Sequence, residues 1–220
     1  MTISSDMLNI VQDKMAKAAK LAQRNAADVQ LIAISKTRSA DEVRPLLDAG
    51  QRIFGENRVQ EAATKWPALR VEYTDAQVHL VGQLQSNKAE EAVELFDAIH
   101  SLDRISLVKA LSKAMDKLDR RIACFIQVNI GEESQKGGCA IVDLLSLLES
   151  ARAEGIEVAG LMCVPPSHVH PAPYFALLAK LAKDHGLEKL SMGMSGDYET
   201  AIKLGATHIR VGTALFGARP

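Results

Sequence analysis

Eight short apolar segments alternate with helical segments along nearly the whole chain. The apolar segments are predicted strands at about 30–35, 52–55, 78–82, 98–101, 122–129, 158–162, 190–193 and 208–212. Repeated strand–helix units require parallel pairing with right-handed crossovers. The sequence therefore predicts an α/β fold, and eight units favour a closed (β/α)8 barrel of the TIM type. The alternative is an open, doubly wound sheet, which is disfavoured because no Gly-x-Gly-x-x-Gly loop follows the first strand.

Helical periodicity accounts for most of the remaining residues. An extra N-terminal helix at about 4–27, within region 1–28, has one apolar face and is predicted to pack on the barrel. Further helices are predicted at about 39–50, 56–69, 86–95, 103–115, 141–154, 173–185 and 197–205. No linker-like stretch divides the chain, so residues 1–220 are predicted to form a single domain.

The composition argues against several functional classes. A formal net charge of -1 gives no global field for nucleic acid or acidic membranes. No stretch approaches the ~20 apolar residues of a membrane helix, and the N-terminus does not resemble a signal peptide. The three cysteines, Cys124, Cys139 and Cys163, are odd in number and widely spaced, which indicates a reduced, cytoplasmic setting.

Lys36 stands at the end of the first predicted strand, where the chain turns from apolar to polar. In a barrel of this type, that end of the strand lies on the catalytic face. A lysine stem among apolar neighbours is partly desolvated, which disfavours the ammonium and frees an amine that can form a Schiff base with an aldehyde. The alternative is an ordinary solvated lysine just past a strand.

The residues that follow other strands share the same rim in this fold. Asn57 follows the second strand, and Met162 ends the sixth. The segments after strands seven and eight supply small and hydroxyl residues, namely Ser195, Gly196, Gly212 and Thr213. Barrels often bind phosphate at this position, through backbone N–H groups and a helix N-terminus. The alternative is ordinary helix capping by Ser195 and Asp197 and an ordinary turn at Gly212.

Arg210 lies within the last predicted strand, between Ile209 and Val211. An arginine in a barrel interior is costly unless it has a partner. A ligand is one such partner, and a rim carboxylate such as Glu56 is the other. A rim lysine, a phosphate cradle and an inward arginine together describe a site for pyridoxal 5'-phosphate (PLP).

Several sequence stretches resemble the pyridoxal phosphate homeostasis protein family, which has the barrel of the alanine racemase N-terminal domain. The stretches occur in family order at 33–37 (AISKT), 54–57 (FGEN), 59–61 (VQE), 81–88 (VGQLQSNK), 127–129 (QVN), 131–134 (GEES), 160–162 (GLM), 190–195 (LSMGMS) and 210–217 (RVGTALFG). They span nearly the whole chain, so the resemblance is specific. One departure is Gln83, where much of the family has histidine.

The resemblance implies a role for each rim residue. Lys36 is the lysine that forms the Schiff base with PLP, and Asn57 lies near the ring. Met162, at the end of strand six, is expected to contact the cofactor as well. Arg210 faces the ring nitrogen. The phosphate contacts are Ser195, Gly196, Gly212 and Thr213.

The resemblance also implies a binding protein for vitamin B6 and amino-acid homeostasis, which buffers PLP and delivers it to apo-enzymes. The alternative is a PLP-dependent amino-acid racemase or a related enzyme. Racemisation needs a second base, which in alanine racemases is a tyrosine from an additional C-terminal domain that follows the barrel. We expect no such domain here, because the chain ends just after strand eight, and we therefore expect a monomer. Tyr198 stays open as a substitute base.

Two further interpretations have weaker support. A barrel enzyme that acts on a phosphorylated metabolite without a cofactor would use Lys36 as a catalytic amine. His168 and His170 could bind a metal, but no nearby carboxylate or cysteine supports such a site. The histidines on strands, His79, His100 and His208, are interpreted as core groups.

Overall fold

The computed structural model of the chain describes residues 3–217. The first two residues of the predicted N-terminal helix region and the last three of the predicted domain lie outside this range. Eight parallel strands pair in sequence order, and β1 also pairs with β8, so the sheet is closed. The strands are β1 Gln30–Ile34, β2 Ile53–Glu56, β3 Gln77–Leu80, β4 Ala98–Leu102, β5 Ala123–Gln127, β6 Val158–Met162, β7 Lys189–Ser191 and β8 His208–Val211. The predicted (β/α)8 barrel is therefore confirmed.

Nine α-helices surround the barrel within the described range. They are α1 Ile3–Leu21, α2 Ala40–Asp48, α3 Val59–Glu72, α4 Ala89–Leu95, α5 Ile105–Leu118, α6 Leu144–Ala153, α7 Ala172–Asp184, α8 Tyr198–Lys203 and α9 Thr213–Phe216. Helix α1 packs on the side of the barrel against α2, α8 and α9. It ends earlier than predicted, and a separate 3-10 turn covers Ala26–Asp28.

Local sequence signals fix several of these boundaries. The Ser39 hydroxyl accepts the Glu42 N–H, while the Glu42 carboxylate accepts the Ser39 N–H, so a capping box starts α2. Gly50 follows α2 with φ +92°, a left-handed conformation that glycine adopts without strain. The chain can therefore leave the helix and enter β2 within a few residues.

Side chains alternate between two cores because successive strand residues point to opposite faces. On β8, Ile209 and Val211 belong to the large apolar core shared with the helices. In that layer the rings of Phe54 and Trp66 lie 5.0 Å apart. The alternate residues His208 and Arg210 are also buried but contact groups from other strands across the barrel.

The barrel interior contains three histidines and one phenylalanine. His100 stacks on Phe125 with ring centroids 4.2 Å apart, and His208 meets the same phenylalanine edge-on at 5.0 Å. The Nδ1 atom of His79 lies 3.1 Å from the Nε2 atom of His100. The interpretation of these histidines as core groups is confirmed, and the space above them holds the candidate site.

Candidate functional site

An open cleft of ≈ 410 Å³ lies at the carboxyl ends of the barrel strands. Its walls come from the ends of β1 and β2 and from the segments after β3, β6, β7 and β8. Parallel strands bring these ends together at one rim. Seven of the eight site residues predicted from the sequence line this cleft, namely Lys36, Asn57, Ser195, Gly196, Arg210, Gly212 and Thr213.

Met162 is the predicted site residue that does not line the cleft. It ends β6 and is 1% exposed. Val164, two residues beyond the end of β6, lines the cleft instead. The predicted end of β6 at Met162 was correct, but the side chain that reaches the cleft is that of Val164, beyond the strand.

Lys36 lies in a turn directly after β1 and is partly buried. The Arg38 N–H donates to the Ser35 carbonyl oxygen at 3.1 Å and closes the turn. Thr37, at the third position of this turn, has φ +63°. The turn directs the chain away from the barrel and leaves Lys36 in the cleft wall.

Arg210 extends from β8 into the interior and is 5% exposed. Its guanidinium donates to the Ser191 hydroxyl and to the Cys163 carbonyl oxygen, both at 2.7 Å. Burial lowers the pKa of this guanidinium, but arginine remains charged at neutral pH. Both acceptors are neutral, and no carboxylate among the described residues lies within ion-pair distance of Arg210, although the more distant Asp197 raises its pKa slightly.

The alternative in which Glu56 pairs with Arg210 is wrong. Glu56 ends β2, and its carboxylate lies on the helix side of the barrel wall, 2.7 Å from the Lys65 ammonium. Neighbouring residues of a strand point to opposite faces, so Asn57 reaches the cleft and Glu56 does not. The charge of Arg210 is thus available to a ligand.

Ser195 connects the two segments that follow β7 and β8. Its Oγ accepts the Gly212 N–H at 3.2 Å and the Ala214 N–H at 3.4 Å. Asp197 accepts the Met194 N–H at 2.5 Å and makes no side-chain cap to α8. The alternative in which Ser195 and Asp197 simply cap α8 is therefore wrong. The hydroxyl proton of Ser195 remains able to donate towards the cleft.

Comparison with known proteins identifies the family. The family model for the N-terminal domain of alanine racemase matches residues 10–220. The pyridoxal phosphate homeostasis protein of Pseudomonas aeruginosa is 38% identical over 226 residues, which cover 99% of this chain and 96% of that protein. The chain belongs to the pyridoxal phosphate homeostasis protein family. The resemblance drawn from the sequence stretches is therefore confirmed.

Solved structures support the assignment of this chain to the family. PipY of Synechococcus elongatus PCC7942, solved with PLP bound, is 39% identical and superposes with a TM-score of 0.80 over 92% of this chain and 100% of that chain. Alanine racemase of Clostridium difficile 630 is only 12% identical, with a TM-score of 0.70 over 95% of this chain and 57% of the racemase chain. The racemase likeness shows a shared fold alone.

Sequence reasoning missed seven residues that line the cleft of this family member. They are Ile34, Arg38, Val81, Val164, Met194, Phe216 and Gly217. Arg38 lies three residues after the first predicted strand and Val81 lies near the end of the third, so their position was a usable signal. Phe216 lies on α9, whose four residues are too few to show helical periodicity.

The loop histidines and the cysteines lie outside the cleft. His168 and His170 are exposed, and His170 Nδ1 accepts the Ala172 N–H at 3.4 Å. Within residues 3–217, no group of three His, Cys, Asp or Glu side chains is placed to bind a metal. Burial raises the pKa of the Cys124 and Cys163 thiols to about 12, which leaves both unreactive at neutral pH.

Gly82 packs directly against the backbone of Asn57, and replacing it with alanine is expected to destabilise the protein. A Cβ atom at residue 82 would lie 2.2 Å from the Asn57 carbonyl oxygen and 2.7 Å from its Cα atom. Backbone cannot rotate aside, so the segments after β2 and β3 must separate. We expect Gly82→Ala to lower the free energy of unfolding by about 1–3 kcal/mol, measured by urea denaturation.

Gly196→Ala provides the matched control for this substitution. A Cβ atom at residue 196 would meet nothing within 4 Å, and the residue does not have a positive φ. Its stability should stay within about 0.5 kcal/mol of the parent value. Equal stability of the Gly82→Ala and Gly196→Ala variants would show that the backbone of Asn57 can move away from residue 82 at little cost.

Proposed function

We propose that this family member binds PLP in the cleft, holds it reversibly as a Schiff base on Lys36, and maintains vitamin B6 and amino-acid homeostasis without robust catalysis. The observation that carries the proposal is the arrangement of Lys36 and Arg210 in one cleft. It combines an amine with a buried guanidinium whose described partners, Ser191 and Cys163, are both neutral.

The residues of the cleft fit the chemical groups of PLP. Arg210 can only donate hydrogen bonds, which suits the ring nitrogen as an acceptor. Ser195 and Thr213 supply hydroxyl donors for the phosphate, and a Cβ at Gly196 would enter open space, so the backbone is accessible there. The cleft volume lies within the range of about 300–1,000 Å³ that is usual for ligand pockets.

The aldehyde of PLP, when bound, supplies the electrophile and its ring supplies the conjugation. Lys36 supplies the nucleophilic amine from the wall formed by the end of β1. Asn57 lies on the neighbouring strand end and is placed to contact the ring. Met162 was also predicted to contact the cofactor, but its burial below the cleft leaves it in a supporting position.

The ionisable groups of the cleft favour binding over proton transfer. Among the described residues that line it, they are Lys36, Arg38 and Arg210. Tyr198, the candidate second base, is 4% exposed in the apolar core and does not line the cleft. A two-base racemisation needs a proton-transfer group besides the lysine, so these observations support the carrier interpretation.

Titration of the purified protein with PLP tests the proposal. We expect a new absorbance band above 400 nm, which borohydride reduction removes while fixing a stable adduct on Lys36, located by peptide mass spectrometry. Saturable binding with no adduct, or an adduct mainly on other lysines, would refute covalent capture. The exchange of the α-hydrogen of alanine in D2O can be followed by NMR. Exchange at an enzyme-like rate would contradict the expected lack of catalysis but not the binding of PLP.

Other parts of the functional proposal stay predictions. They are the cytoplasmic location, the monomeric state, the lack of nucleic-acid binding and the delivery of PLP to apo-enzymes. All three cysteines are free and buried, which agrees with a reducing compartment. Among the described residues, no helix combines the length and the hydrophobicity that crossing a bilayer requires.

A further inference from the structure

The turn that carries Lys36 has an unfavourable backbone conformation. Thr37 is β-branched and has φ +63°, a region that β-branched residues rarely occupy. A positive φ at the third position of a turn is usually taken by glycine or asparagine. Strain of this kind persists only where the surrounding structure imposes it, and it is concentrated at functional sites. Contacts that impose the conformation should therefore be present around residues 35–38.

Lys65, from α3, provides such contacts. Its side chain is 6% exposed, and its ammonium lies 2.8 Å from the Ser35 carbonyl oxygen and 2.9 Å from the Arg38 carbonyl oxygen. These are the two ends of the turn. Its third contact is the Glu56 carboxylate at 2.7 Å. Three acceptors thus match the three N–H donors of a lysine ammonium.

Two carboxylates complete the arrangement. Glu56 is fully buried and also accepts the Ser35 hydroxyl at 2.7 Å and the Trp66 indole N–H at 3.0 Å. Glu61 accepts the Thr37 N–H and lies 3.6 Å from Lys65. We call Glu56, Glu61 and Lys65 the turn clamp. The clamp lies on the helix side of the barrel wall, directly behind Lys36.

We propose that the turn clamp positions Lys36: it holds the strained turn so that the amine stays directed into the cleft. The inference rests on the proposed function, in which Lys36 captures the aldehyde. A purely stabilising role explains the contacts less well, because a buried ion pair contributes little net stability compared with apolar residues of similar size. Here the Lys65 ammonium also contacts the Ser35 and Arg38 carbonyl oxygens, on either side of Lys36. An ion pair that served stability alone would not need these two contacts.

The first variant to test is Lys65→Met, which keeps the length of the side chain and removes the charge. The matched control is Arg70→Met on the same helix, which breaks a partly buried ion pair with Asp97 remote from the turn. Both variants lose an ion pair, and their unfolding midpoints report the stability loss. Positioning predicts that only Lys65→Met alters the turn and the capture of PLP.

Two readouts separate positioning from stability. In PLP-free protein, NMR-detected hydrogen exchange of the Arg38 amide should accelerate about tenfold in Lys65→Met and stay unchanged in Arg70→Met. With PLP, the rate of adduct formation on Lys36 should fall about tenfold in Lys65→Met only. A folded Lys65→Met protein with parent-like values in either readout overturns the inference.

Glu61→Ala keeps the test decisive if Lys65→Met does not fold. The Glu61 side chain is 27% exposed, so the variant should stay folded, and it loses the carboxylate that accepts the Thr37 N–H. Adduct formation should slow about threefold or more, and an unchanged rate contradicts positioning. If the parent protein captures no PLP, the proposed function fails, whereas the exchange measurement still decides whether the clamp holds the turn.

Discussion

Replacing Lys36 with alanine is expected to abolish covalent capture of PLP completely. In the proposed site Lys36 supplies the amine that attacks the aldehyde, and the other cationic groups of the cleft, Arg38 and Arg210, are guanidiniums. A guanidinium stays protonated at neutral pH and does not replace an amine as a nucleophile. No reducible adduct and no band above 400 nm should form with Lys36→Ala.

Residual non-covalent binding of PLP is expected in the same variant. Ser195, Thr213 and Arg210 still offer donors to the phosphate and the ring, so equilibrium dialysis should detect weaker binding. We expect the dissociation constant to rise roughly 100-fold, equivalent to about 2.7 kcal/mol. Lys88→Ala is the matched control, because Lys88 lies in the segment between β3 and α4, pairs with Glu91 at 2.7 Å and does not line the cleft. Its adduct yield should equal that of the parent, and an undiminished adduct in Lys36→Ala would refute the assignment.

The strand pattern made much of this site predictable. Lys36 and Asn57 follow apolar runs, and parallel strands bring their carboxyl ends to a single rim. Arg210 was predicted to point inwards because it interrupts an apolar strand. Strict alternation along β8 then places it on the same face as His208. These inferences needed only two facts: side chains alternate between the two faces of a strand, and the sheet closes into a barrel.

The turn clamp was beyond sequence reasoning for a physical reason. Lys65 has the appearance of a surface lysine on α3, and its burial follows from how α3 packs on the end of β1. Its partner Glu56 adjoins the predicted site residue Asn57 and was considered as an ion-pair partner of Arg210. The sequence alone does not show which residues at the end of a short strand face the barrel interior. Contacts between side chains of different elements depend on tertiary packing, which local patterns do not encode.

The interior histidines make the stability of the fold sensitive to acid. Burial lowers the pKa of His79 to about 4, that of His208 to about 3 and that of His100 well below its usual value. The hydrogen bonds agree with neutral rings. Arg210 donates to the Ser191 hydroxyl, which lies 2.8 Å from His100 Nδ1 and can donate its own proton there. His100 then carries its proton on Nε2 and donates to His79.

The sign of the pH dependence follows from this neutrality. Above pH 6.5 the histidines are neutral in both the folded and unfolded chains, and they contribute no pH dependence. Below pH 6.5 the unfolded chain binds protons that the folded barrel excludes, so stability falls as the pH falls towards about 4. Each such histidine contributes a slope of about 1.4 kcal/mol per pH unit, and the three together about 4.

Urea denaturation at a series of pH values from 7.5 to 4.5 measures this slope. His208→Gln should reduce it by about one histidine's share, since glutamine can keep a hydrogen bond to the Thr207 hydroxyl, which lies 2.8 Å from His208 Nδ1. His170→Gln, at an exposed loop position, should leave the slope unchanged. Equal slopes in the parent and His208→Gln proteins would mean that His208 is protonated inside the barrel. It would then place a second positive charge beside Arg210 inside the barrel.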